Sequence, residues 1–159
     1  SDQGISSMSV SRKLLVSIVA GLILVSMTSF LHAQSPTDRI VVKVTGIRNA
    51  NGKMKIGLWR SKDGFPKDTS KAVRSVTVEI ADGAATAAFA DVPHGEYAVA
   101  VYHDENNNGK MDTRFPGIPA EGIGSSNNPH SRFGPPSFDQ CRFEARSPET
   151  LVEIKMLYL

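Results

Sequence analysis

Asp104, Asn106, Asn108, Gly109 and Asp112 stand in the stretch YHDENNNGKMD at the spacing D-x-N-x-N-G-x-x-D. Calcium takes about six to eight oxygen ligands, and a short loop supplies them by offering an oxygen at every second residue while the chain bends sharply around the ion. Asp104, Asn106 and Asn108 would serve at positions one, three and five. Gly109 permits the bend, Lys110 would give its backbone carbonyl, and Asp112 would close the loop at position nine. Phe115 stands where an EF-hand carries its bidentate glutamate, which excludes the helix-loop-helix version. The spacing suits the shorter loops of extracellular β-proteins. Two asparagines lower the negative charge, so the expected dissociation constant is about 10⁻⁴ to 10⁻³ M. The plain alternative is a solvated turn at Asn108-Gly109. It needs an alternating strand on its far side, and KMDTRFP, from Lys110 to Pro116, does not supply one.

Other reactive side chains gather less well. His103, Asp104, Ser125, Ser126 and His130 are the types needed for acyl transfer, which would make a hydrolase with its site in the 103–130 segment the rival reading. No nucleophile elbow of the form G-x-S-x-G accompanies them. His94, His103 and His130 match no common zinc or copper spacing. The single cysteine, Cys141, alternates with Phe143 in an expected strand and reads as a small buried hydrophobe.

The elements that must position these residues are strands. DRIVVKVT puts Ile40, Val42 and Val44 on one face, and MKIGLWR aligns Met54, Ile56 and Leu58, with Gly57 and Trp59 on the reverse. The Asn51-Gly52 turn signal between them predicts a hairpin with one common core face. Val73–Ile80, Ala84–Ala90 and Gly95–His103 follow, then Phe138–Ala145 and Thr150–Leu159, divided by Gly, Pro and Asn turns. These elements predict an all-β fold, a single seven-stranded antiparallel β-sandwich of immunoglobulin-like or transthyretin-like type. Residues 104–137 interrupt the rhythm without an evident strand. Proline-stiffened and carrying Phe115 and Phe133, they predict one long ordered loop rather than disorder. Phe115, Glu121, Asn127, Asn128, Arg132 and Phe133 are its candidate recognition side chains.

The 159-residue chain has a net charge of +2 and one cysteine, so nothing points to nucleic acid as a partner and no internal disulfide can form. Arg12 and Lys13 precede the apolar run from Leu14 to Phe30, and Leu31-His32-Ala33 precedes a polar sequence. This is the pattern of a secretory signal peptide cut near Ala33. Residues 1–33 are therefore expected to be upstream sequence and signal, and residues 34–159 the domain, periplasmic or secreted, with no membrane span after cleavage. No cysteine follows the signal segment to take a lipid anchor. The expected partner is an envelope protein or a small ligand.

The runs VYHDENNNGKMDTRFPGIPAEGIGSSNN and RFGPPSFDQCRF, preceded by GFPKDTSKAVRSV and VPHGEYAVAVYH, occur in an order that resembles the exported bacterial domain-of-unknown-function family 2141. The resemblance covers nearly all of Asp38 to Leu159. It implies an extracytoplasmic all-β domain and brings no catalytic residues with it. PHGEYAVAVYHDENNNG is also similar, over a short span, to the P-x-G-x-Y strand and turn of transthyretin-like and carboxypeptidase-regulatory-like sandwiches, which are mostly accessory or adhesive modules. The combined expectation is a non-catalytic exported binding module, calcium-stabilised through 104–112, with 113–137 as its recognition surface. An envelope structural subunit is a further alternative.

Overall fold

Alternating β-branched residues form strands because every second side chain can be buried while its neighbours stay in water. In a computed structural model, residues 37–159 are described, apart from 131–133 and 147. Ten strands follow in order: β1 (Thr37–Thr45), β2 (Lys53–Trp59), β3 (Arg74–Val78), β4 (Ala85–Pro93), β5 (Gly95–Asp104), β6 (Thr113–Arg114), β7 (Ile118–Pro119), β8 (Ile123–Ser125), β9 (Phe143–Ala145) and β10 (Glu149–Lys155). One sheet runs β10-β1-β4 and the other β3-β2-β5-β8, with β9 also on β5. Their inner faces share one core, in which Ile40, Val42 and Ile154 from the first sheet meet Met54, Ile56 and Val99 from the second. This is the sandwich that the alternation predicts.

Three details of the strands and their pairing differ from expectation. The first and last strands, β1 and β10, pair in parallel from Arg39↔Glu149 to Thr45↔Lys155, so the sandwich is not wholly antiparallel. Nor do β1 and β2 form a hairpin, because they lie in opposite sheets. Period two tells which residues face the core but not which sheet carries them. The connection through Asn51 and Gly52 crosses between layers, which in sandwiches lie about 10 Å apart. Finally, the segment after Asp104 does contain strands: β6 and β7 form a small hairpin of their own, and β8 extends the second sheet through Ala100↔Ser125 and Tyr102↔Ile123.

Cys141 ends a one-turn helix, α1 (Phe138–Cys141), instead of lying in a strand. Ser137 and Gln140 form a capping box at its start, which satisfies backbone donors locally and outcompetes the extended form. The thiol is fully buried. Burial pushes its pKa up, partly offset by a hydrogen bond from Ser125.

On the outer face of the second sheet Trp59 is 1% exposed. Phe65 meets it edge-on at 5.4 Å, and Phe138 meets Phe65 at 5.8 Å. Gly57 makes room for the indole, since a Cβ there would lie 2.4 Å from the ring.

No helix among the described residues is long and apolar enough to cross a membrane. The apolar run and cleavage site expected at 14–33 lie outside the described residues.

Candidate functional site

β5 delivers Asp104 to the edge of the sheet with a side chain that is fully buried. A buried carboxylate must be compensated. Here Oδ1 accepts the backbone N–H of Asn108 at 3.0 Å and Oδ2 that of Gly109 at 2.9 Å, with Lys55 Nζ 3.9 Å from Oδ2. These bonds wrap the chain back over Asp104. Asn107 (φ 60°) and Gly109 (φ 77°) take left-handed conformations to make the bend, and the Tyr102 hydroxyl donates to the Gly109 carbonyl at 3.2 Å.

The side chains at the remaining expected ligand positions converge. Asn106 Oδ1 accepts from the Asn108 N–H at 3.1 Å, and its amide nitrogen donates to Asp112 Oδ2 at 2.6 Å. Asn108 donates to both Asp112 oxygens, at 3.0 and 3.1 Å, and accepts from the Lys110 N–H at 2.8 Å. Asp104, Asn106, Asn108, Lys110 and Asp112 are thus one hydrogen-bonded cluster. No three carboxylate, imidazole or thiol groups among the described residues gather as a metal-holding set. The ligand positions of the nine-residue pattern carry two carboxylates, Asp104 and Asp112, with amide and carbonyl oxygens at the rest, while Glu105 turns its carboxylate to Arg48 and Asn49.

Glu121 closes the loop from outside it. Only 5% exposed, it accepts the N–H of Glu105 on Oε1 at 2.9 Å and that of Asp112 on Oε2 at 3.0 Å. It therefore faces the inside of the loop, not solvent. Nothing local in the sequence signals this, because the contact joins residues that are distant along the chain.

Beneath the loop lies a second network. His103, fully buried, has Nε2 2.6 Å from the Asn51 carbonyl and Nδ1 2.9 Å from the Tyr158 hydroxyl. The carbonyl can only accept, so Nε2 donates to it. Glu105 is bound by Arg48 at 2.5 Å and Asn49 at 3.0 Å. Burial opposes ionisation of Glu105, but these hydrogen bonds, the Arg48 charge and neighbouring His103 outweigh it and hold the carboxyl below its usual value. A depressed folded pKa contributes stability that is complete above the unfolded value, about 4.3, and is lost as pH falls through the folded one. Thermal midpoints measured from pH 7 down to pH 3 should accordingly fall less steeply for Glu105→Gln than for the wild type below about pH 4.5. Parallel curves would remove this role.

Two residues of the hydrolase reading, His103 and Ser126, hold structural partners. Both nitrogens of His103 are engaged as above. Ser126 bridges a break in the sheet edge, accepting from the Val99 N–H at 2.9 Å and donating to the Cys141 carbonyl at 2.6 Å. No hydrogen bond among the described residues joins Ser125 or His130 to His103.

The expected recognition residues divide. Asn127 donates to the carbonyls of Gln140 and Arg142. The Asn128 amide pairs with the Glu153 carbonyl at 3.0 Å and the Lys155 N–H at 2.8 Å, matching the free edge of β10 as a strand would. Phe115, by contrast, is 97% exposed at the tip of the β6–β7 hairpin. Arg132 and Phe133 lie outside the described residues.

Residues 42–153 match the family described as an uncharacterized protein conserved in bacteria, DUF2141. No curated protein matches. Among solved structures, a pilus-presented adhesin is 13% identical, with a TM-score of 0.27, and spans 80% of this chain but only 28% of its own. A cysteine-to-alanine mutant of that adhesin gives 12% identity and a TM-score of 0.26, again over 28% of its length. Scores this low carry no weight for fold or function.

Proposed function

This chain belongs to the DUF2141 family of proteins conserved in bacteria, and we propose that it acts as an exported, non-catalytic binding module whose 104–112 loop takes calcium. The convergence of Asp104, Asn106, Asn108 and Asp112 on one another carries this reading. An all-oxygen donor set suits a hard cation better than zinc or copper. The amide nitrogens of Asn106 and Asn108 now face Asp112, so loading requires both amides to turn their oxygens inward. Calcium would then replace amide donors as the positive partner of Asp112 and fix the loop from which the β6–β7 hairpin springs. The commitment of His103 and Ser126 to structural partners supports a binding role over hydrolysis. The basic-then-apolar N-terminal sequence supports export.

A ligand that binds only the folded state stabilises it by about 2.7 kcal/mol at a hundredfold excess over its dissociation constant, which for a domain of this size raises the midpoint by roughly 10 °C. Thermal melts in about 10 mM calcium, a hundredfold above a dissociation constant of about 10⁻⁴ M, and in chelator should differ on this scale for the wild type and coincide for Asp112→Ala. Identical wild-type midpoints would remove calcium from the proposal.

A further inference from the structure

The β6–β7 hairpin pairs with neither sheet. It is held at its base, where the Ala120 N–H donates to the Asp112 carbonyl at 2.8 Å and Asp112 is itself tied to Glu121. Its turn closes through the Gly117 N–H and the Arg114 carbonyl at 2.6 Å. A Cβ at Gly117 would meet nothing within 4 Å, so the tip stands clear of the domain. At that tip Phe115 is 97% and Ile118 45% exposed. Burying a Phe side chain is worth about 1.5 to 3 kcal/mol, so Phe115 beside Ile118 is apolar surface whose covering by a partner would be favourable.

The surrounding charge indicates what covers it. Lys110 precedes the hairpin and is in no ion pair among the described residues, and Arg114 lies within it. Arg114 donates to the backbone oxygen of Leu159 at 2.5 Å. Asp112, which lies between Lys110 and Arg114 in sequence, is only partly exposed and receives three amide hydrogen bonds. The exposed charges beside the apolar tip are thus Lys110 and Arg114, the carboxylates of the loop being buried or partly buried. A convex two-rung hairpin offers far less area than the roughly 800 Å² per partner that a stable protein interface buries. Contact with a bilayer needs only an apolar tip that reaches below the headgroups and cations that meet anionic lipid.

We infer that the β6–β7 hairpin is a membrane-surface contact, seating Phe115 and Ile118 among the acyl chains of an anionic leaflet while Lys110 and Arg114 meet the lipid phosphates. This rests on the binding-module reading and names its partner as a lipid surface. The core residues described all lie within the unit Ser35–Leu159, so that piece is the one to float with vesicles of phosphatidylglycerol and phosphatidylcholine, or of phosphatidylcholine alone. The expected result is flotation with the anionic vesicles. It should weaken about tenfold or more in Phe115→Ser and about fivefold or more in Arg114→Gln, with both variants melting as the wild type does. Equal binding to both vesicle types, flotation unchanged in Phe115→Ser, or no flotation would each overturn the lipid assignment. Crosslinking from position 118 to envelope protein, lost in Phe115→Ser, would in those cases show a protein partner and leave the module reading standing. Neither flotation nor crosslinking would sink both.

Discussion

Gly52→Ala is expected to destabilise the domain by about 3 kcal/mol or more. Gly52 has φ +62°, and a Cβ there would lie 1.8 Å from the Asp104 carbonyl oxygen and 2.7 Å from two further backbone carbons. Backbone atoms cannot swing aside as a side-chain end can. Either the crossover between the sheets or the start of the candidate loop must move, and because Asp104 anchors the Asn108 and Gly109 amides, the loop would move with it. Gly83→Ala separates this clash from backbone strain. Gly83 has φ +71° but nothing within 4 Å of a Cβ, so its substitution should cost only about 1 kcal/mol. Urea unfolding of the two variants reads the difference, and equal losses would mean that the close approach is unimportant.

Glu121→Ala should rank next. It removes the acceptor of two N–H groups at opposite ends of the loop. Each buried donor left unpaired costs about 1 to 3 kcal/mol, so a loss of about 2 to 5 kcal/mol is expected unless water enters. Glu121→Gln retains one acceptor oxygen but turns an amide toward the other N–H, and should fall between wild type and alanine. Hydrogen exchange at the Glu105 and Asp112 amides checks the cause. Both should speed up together in Glu121→Ala, and unchanged protection would assign the lost stability to something else.

Residues whose burial follows period two were legible from sequence: Ile40, Val42 and Val44 face the core, as do Met54, Ile56 and Leu58. Which strands pair was not, because Asn51-Gly52 signals a bend without saying whether it returns to the same sheet. β8 escaped notice for a packing reason. Gly124 reads as loop, yet a Cβ there would lie 2.7 Å from Ile154 Cγ2, so this strand needs a glycine to lie against β10. The helix at Phe138 was legible in principle, since Ser137-x-x-Gln140 is a capping-box pattern, but the alternation of Cys141 with Phe143 obscured it. In the candidate site, Asp104 to Asp112 share a local spacing that sequence can display. Glu121, Tyr158 and Arg48 reach the site through tertiary packing alone, and no local spacing encodes such contacts.

The parallel pairing of β1 with β10 also has a mechanical meaning. These are the first and last strands described, side by side and pointing the same way, with paired residues from Arg39↔Glu149 to Thr45↔Lys155. Tension that enters before β1 and leaves after β10 pulls the two strands past one another along their length. The bonds between them are then loaded together in shear instead of being peeled one at a time, so the domain resists a pull along the chain most strongly where its two ends meet.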